Sequence, residues 1–129
     1  MIKQTHCKTL AGEDRYAVTA EAVITASGIA VLLTGGTLPH VGCIALAQPA
    51  KGARTLSVEG HREAEIAAPI CEQICSAAGC AVAVTAGIHV DSATPDEINT
   101  LSKNAFAAGE MLIGQIKQIL ADTTGGEDA

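Results

Sequence analysis

Three of the chain's four histidines stand where a strand-like run meets a glycine-containing loop, in Pro39-His40-Val41-Gly42, Gly60-His61-Arg62-Glu63 and Gly87-Ile88-His89-Val90-Asp91. A neutral imidazole is a common ligand for divalent metals and can pass a proton near neutral pH, so a histidine held at the end of a stiff element is chemically useful. Carboxylates lie near: Glu63 and Glu65 follow His61, and Asp91 stands two after His89, a spacing that on an extended backbone puts the His89 and Asp91 side chains on one side. Three chemistries fit. His40, His61 and His89 could ligate a divalent ion. The amides of Gly35, Gly36 and Gly60, with a helix start near His61 and Arg62, could hold an anion or phosphate. His89 polarised by Asp91 could work as an acid or base. The sequence holds no H-E-x-x-H, Walker A or G-x-G-x-x-G pattern, and no serine or cysteine is placed as a clear nucleophile, so binding is favoured over turnover. Any one of these histidines alone is equally well explained as a loop cap or a partner for a buried carbonyl.

The elements that must position these residues follow from periodicity and punctuation. The valine-rich segment 80–85 reads as a strand buried on both faces, and Gly87 as the place where it breaks or lets another backbone approach. Thr94, Pro95, Asp96 and Glu97 then form a capping box that predicts a helix from 95 to about 120, with Ile98, Leu101, Ala105, Ala108, Leu112, Ile116 and Ile119 on its inner face. Phe106, Met111 and Ile113 suggest a second buried face on that helix. Upstream, residues 15–25 and 29–34 form a hairpin across Ser27 and Gly28. Segments 40–47 and 54–58 add two strands, and the four together predict an antiparallel meander. Residues 61–78 carry Ile66, Ile70 and Ile74 at helical spacing with Gly79 as terminator, although Pro69 demands a kink or a start near Ile66. The resulting expectation is a single α/β (α+β) domain over 15–121, a mostly antiparallel sheet with two main helices. It is preceded by an arm or short edge strand over 1–14 and followed by a disordered acidic tail over 122–129.

Composition narrows the class. A chain of 129 residues suits one domain, and with only Tyr16 and Phe106 as aromatics its core must be built from aliphatic side chains, with a subunit interface to complete it. A net charge of -6 with eight scattered Lys and Arg excludes nucleic acid as a partner. No signal-peptide pattern opens the chain and no apolar run is long enough for a bilayer, so neither export nor membrane attachment is expected. Five cysteines without C-x-x-C spacing point to reduced thiols in a cytoplasmic protein, with Cys71 and Cys75 as small core residues one turn apart.

Gly35-Gly36 with Pro39-His40-Val41-Gly42, Gly60-His61 with Glu63, Thr85-Ala86-Gly87-Ile88-His89-Val90-Asp91 and Thr94-Pro95-Asp96-Glu97-Ile98 together resemble the LpdD-like prenylated-flavin chaperones, the small accessory subunits of gallate-decarboxylase-type systems, over about 28–114. The resemblance implies a compact domain similar to small proteasome-assembly chaperones, pairing into a homodimer or higher homo-oligomer. It also implies that the chain holds prenylated FMN, or FMN, and supplies it to a UbiD-type decarboxylase subunit without itself decarboxylating. By matching positions, the cofactor site would comprise Gly35, Gly36, His40, Gly42, His61, Glu63, His89 and Asp91. Glycine amides and histidines would meet the phosphate, directly or through a divalent metal, and the ring would lie on Ile, Leu or Met surface. An assembly chaperone for a partner subunit, or a small metal-dependent enzyme, are the alternatives.

Overall fold

The computed structural model describes residues 4–128. In chain order the elements are β1 (Gln4–Ala11), a 3-10 turn (Asp14–Tyr16), β2 (Val18–Thr25), β3 (Gly28–Gly36), β4 (Cys43–Gln48), β5 (Lys51–Ser57), α1 (Ala64–Ala78), β6 (Ala81–His89) and α2 (Pro95–Asp128). Burial alternates along the inner strands: Val18, Ala20, Ala22 and Ile24 of β2, Ile29, Val31 and Leu33 of β3, and Cys43, Ala45 and Ala47 of β4 are buried under the helices. That is the signature of a sheet covered on one side. α1 lies on β4, β5 and β6, while α2 lies on β1 and β2 and against α1. Ile70 and Ile74 of α1 and Leu112 and Ile116 of α2 are fully buried between the layers. Gly109 lets the helices close, since a methyl there would press on Ile70.

The strand order is β1-β2-β3-β6-β4-β5. The expected meander is therefore corrected: both hairpins exist, but β6 is inserted between them, parallel to β3 and antiparallel to β4. β6 carries Val82, Val84 and Ala86 towards the helices and small or half-buried Ala81, Ala83 and Thr85 on the other face, which suits a central strand. Residues 37–42, instead of turning back beside β3, cross the end of β6 to start β4 two strand spacings away, about 10 Å. Thr37 N–H donates to the His89 carbonyl at 2.8 Å and Gly42 N–H to that of Ala86 at 2.8 Å. The crossing is tight because Gly87 has no side chain: a Cβ there would collide with the backbone carbonyl of His40. The strand runs through Gly87 to His89, so of its two expected roles the glycine takes the second, admitting another backbone.

Residues 4–11 take the edge-strand alternative, paired along their length with β2, and Thr9 Oγ1 donates to the Ala108 carbonyl of α2 at 2.7 Å. α1 begins at Ala64 with Pro69 inside it, leaving the Glu65 carbonyl without its helical amide, and ends at Gly79 in the left-handed conformation (φ 69°). α2 continues to Asp128, past the end expected near 120, with bonds from Gln118 to Asp122 and from Thr123 to the Ile119 carbonyl. All five cysteines are free; Cys43, Cys71 and Cys75 are buried, and burial pushes the Cys71 thiol up to about 11. No described helix is long and apolar enough to cross a membrane.

The sheet face turned away from the helices is uncovered and apolar. Register aligns Leu32, Thr85, Ile44 and Leu56 in one row across it, and Ala30, Ala83, Leu46 and Arg54 in the next. Leu56 is 76% exposed and Leu46 49%.

Candidate functional site

The crossing of 37–42 over β6 brings His40 to the start of α1. His40 Nδ1 lies 2.9 Å from the Leu38 carbonyl. A carbonyl only accepts, so Nδ1 carries the proton and donates it, and Nε2 is left to face inward. There it meets His61 Nδ1 at 3.1 Å, the two ring centroids being 4.7 Å apart. Glu63 is the residue before the first turn of α1, where the helix dipole favours a carboxylate. Its Oε1 accepts the Arg62 N–H at 3.1 Å and stands 3.5 Å from His61 Nδ1. Its Oε2 is 2.6 Å from His40 Nε2, yet it has no hydrogen-bond partner among the described residues, since an Nε2 without a proton offers it no donor. This side chain is only 9% exposed.

Gly42 makes the arrangement possible: a Cβ there would strike the Glu63 carboxylate. Gly36 (φ 80°) sits against the His89 carbonyl and Gly35 against Ala17 and Val18. The Gly36 amide already donates to the Ala17 carbonyl at 3.2 Å, and the Gly42 amide to that of Ala86. These glycines act by close approach, and the amides of Gly36 and Gly42 are not free to cradle an anion. His89 pairs with Asp91 as the two-residue spacing predicts, Nε2 to Oδ1 2.8 Å. Its ring stands edge-on to His40 at 6.1 Å, beside the cluster of His40, His61 and Glu63 rather than within it. Of the three histidines expected to share a metal, the structure brings two together and sets Glu63, not His89, as the third member.

A cavity of about 450 Å³ opens between the start of α1, the end of β6 and the start of α2. Its lining mixes the polar His61, Arg62, Glu63, Glu65 and His89 with the apolar Ile66, Ile98 and Leu101. The apolar part of the lining could not be read from the sequence. Ile98 opens the inner stripe of α2 and so reads as core, yet it is 52% exposed because the helix start overhangs the cavity.

The described fold is a six-stranded mixed sheet covered on one face by two helices. It is similar, with a TM-score of 0.54 over 96% of this chain and 98% of the other, to a solved chain described as "Crystal Structure of a Novel Chaperone Complex for Yeast 20S Proteasome Assembly". At 12% identity the likeness is one of fold. The sequence is more specific: residues 12–117 match the family described as "Prenylated flavin chaperone LpdD-like domain", and the chain belongs to that family. No curated protein matches it in sequence.

Proposed function

We propose that this chain is a non-catalytic carrier that holds prenylated FMN, or FMN itself, in the cavity beside His61, Glu63 and His89 and supplies it to a UbiD-type decarboxylase subunit in the cytoplasm. The observation that carries the reading is the mixed polar and apolar lining of the cavity. A flavin mononucleotide has a phosphate dianion at one end and a flat, largely apolar ring at the other. The cavity's lining offers Arg62, His61 and His89 for the first and Ile66, Ile98 and Leu101 for the second, and its volume of about 450 Å³ is within the roughly 300–1,000 Å³ range of small-molecule sites. His40 and Gly42 stand against Glu63 and Asp91 against His89, and Gly35 and Gly36 pair with the end of β6. When bound, the cofactor supplies the chemistry of the decarboxylase it reaches. This chain's residues bind and orient it, and the half-exposed Ile98 leaves a side open for release. The uncovered sheet face supports pairing of the carrier with a second copy.

The test is anaerobic titration of the purified protein with reduced prenylated FMN and with FMN, read by calorimetry and native mass spectrometry. One flavin per chain is expected, with affinity at least roughly tenfold weaker in Arg62→Ala and Ile98→Asp, since each removes about 1.4 kcal/mol or more of contact. Both positions are exposed, so circular dichroism should be unchanged. Absence of a flavin complex under all conditions, or wild-type affinity in both variants, would overturn the carrier reading and leave protein assembly as the function.

A further inference from the structure

We propose that His40 Nε2, His61 Nδ1 and the Glu63 carboxylate form a binding site for a divalent transition-metal ion of the zinc class, one per chain. The site stands on its own geometry, whether or not a flavin is carried.

Three lone-pair-bearing atoms converge here with too few protons between them. The Leu38 carbonyl holds the His40 proton on Nδ1, so Nε2 presents a lone pair to its neighbours. Those neighbours are His61 Nδ1 at 3.1 Å and Glu63 Oε2 at 2.6 Å. One proton added to the group can bridge one pair, and in this geometry it serves the two imidazoles, because Glu63 Oε2 stays buried without a donor. An orphaned, buried carboxylate oxygen costs several kcal/mol unless something charged meets it. A cation placed among the three atoms satisfies all of them at once.

The spacing fits such an ion. Tetrahedral zinc with bonds of about 2.0–2.1 Å separates its ligand atoms by about 3.3 Å; the two imidazole nitrogens are 3.1 Å apart, and the two carboxylate oxygens lie 2.6 Å from His40 Nε2 (Oε2) and 3.5 Å from His61 Nδ1 (Oε1), with one ligand atom from each residue inside a 4.8 Å span. Two imidazoles and one carboxylate select zinc and its neighbours over magnesium and calcium, which prefer all-oxygen shells. The surroundings are built for the purpose as well. The hydrogen bond from His40 Nδ1 to a carbonyl is the orienting contact that metal-bound imidazoles usually make. Gly42 keeps the space beside the Glu63 carboxylate clear. With three protein ligands the ion keeps an open position, and because His61 and Glu63 also line the cavity, that position borders it. His89, with its Nε2 held by Asp91, stands outside the ligand set.

The experiment is titration of EDTA-treated, dialysed protein with Co²⁺, followed by its visible ligand-field absorption, and then displacement by Zn²⁺. One tetrahedral-type Co²⁺ per chain is expected, with roughly hundredfold weaker binding in His61→Ala and Glu63→Gln and no change in His6→Ala, whose imidazole is exposed on β1. His61 is half-exposed, so His61→Ala should keep its fold if removal of the buried Glu63 charge disturbs that variant. Failure to bind Co²⁺ stoichiometrically, or binding that His61→Ala leaves intact, would overturn the proposal, as would binding lost only in His6→Ala.

Discussion

Two glycines separate the needs of the site from those of the fold. A methyl at Gly42 would meet the Glu63 carboxylate, the far end of a flexible side chain, whereas one at Gly87 would meet the backbone carbonyl of His40, which moves only with the whole loop 37–42. Gly42→Ala is therefore expected to leave stability within about 1 kcal/mol of wild type while displacing Glu63 and weakening ligand binding. Gly87→Ala is expected to cost about 1–3 kcal/mol in urea unfolding. Equal destabilisation by both would show that Glu63 is part of the packing and cannot swing away. At this scale the site was half legible in the sequence. Junction histidines with a carboxylate two residues away mark themselves, and the His89–Asp91 pair formed as its spacing predicts. The meeting of His40 with His61, 21 residues apart, depends on a loop crossing a strand that comes later in the chain. Glu63 is singled out by its place two residues after His61, but its burial as the third member with His40 and His61 shows only in the packing.

The start of α2 is tied to the 3-10 turn by one carboxylate. Glu97 Oε1 accepts the Thr94 N–H at 2.9 Å while the Thr94 hydroxyl accepts the Glu97 N–H at 3.2 Å, completing the capping box. Its Oε2 accepts from the Tyr16 hydroxyl at 2.7 Å and from Arg15 at 3.1 Å. The Thr94 amide first, then the Tyr16 hydroxyl and the Arg15 charge, hold the Glu97 carboxyl below its ordinary value. A carboxyl depressed in the folded state contributes stability that is fully present above its unfolded value, about 4.3, and lost as pH falls through the folded one. Thr94→Ala should cost about 1 kcal/mol at pH 7. The stability gap between wild type and Glu97→Gln should begin to narrow as pH falls below the unfolded value of about 4.3 and close as it passes through the lower folded one; a gap that does not change with acidification would assign it to packing instead of charge. This box, both helices and both hairpins were readable because each is encoded within a few turns or one strand pair. The place of β6 was not. An apolar strand carries no local mark of which neighbour it will join, and β6 pairs with β3, from which it is separated by two strands and a helix. Its two-sided apolar character marked it as central without saying between which strands.

The molecule as a whole has a covered side and an uncovered one. A half-wet antiparallel sheet ordinarily turns polar residues outward, yet Leu32, Ile44, Leu46 and Leu56 all point away from the helices. Contiguous apolar surface of this kind on a small protein marks a contact face. The middle of that face spans β3, β6, β4 and β5, with Glu21 on β2 beyond one edge and Arg54 on β5 at the other. A two-fold axis running along β6 would bring Arg54 of one copy towards Glu21 of the next while the leucines stack between them. The proposed pairing with a second copy would set Arg54 towards a Glu21 that also holds Lys8 at 3.2 Å, and such isologous pairing is the commonest way chains assemble. Sedimentation of the wild type at tens of micromolar is expected to show a dimer. Leu46→Glu, placing a charge opposite Ala83 and Arg54 in the second row, should raise the dissociation constant at least tenfold, equivalent to about 1.4 kcal/mol, with helix content unchanged. A wild type that sediments as a monomer would remove self-pairing and leave this face to a protein partner. The helix-covered cavity opens elsewhere on the molecule, so flavin binding by Leu46→Glu should match wild type. Loss of both properties in that one variant would mean that the cavity is completed by the second subunit, and that the unit of cofactor transfer is the dimer.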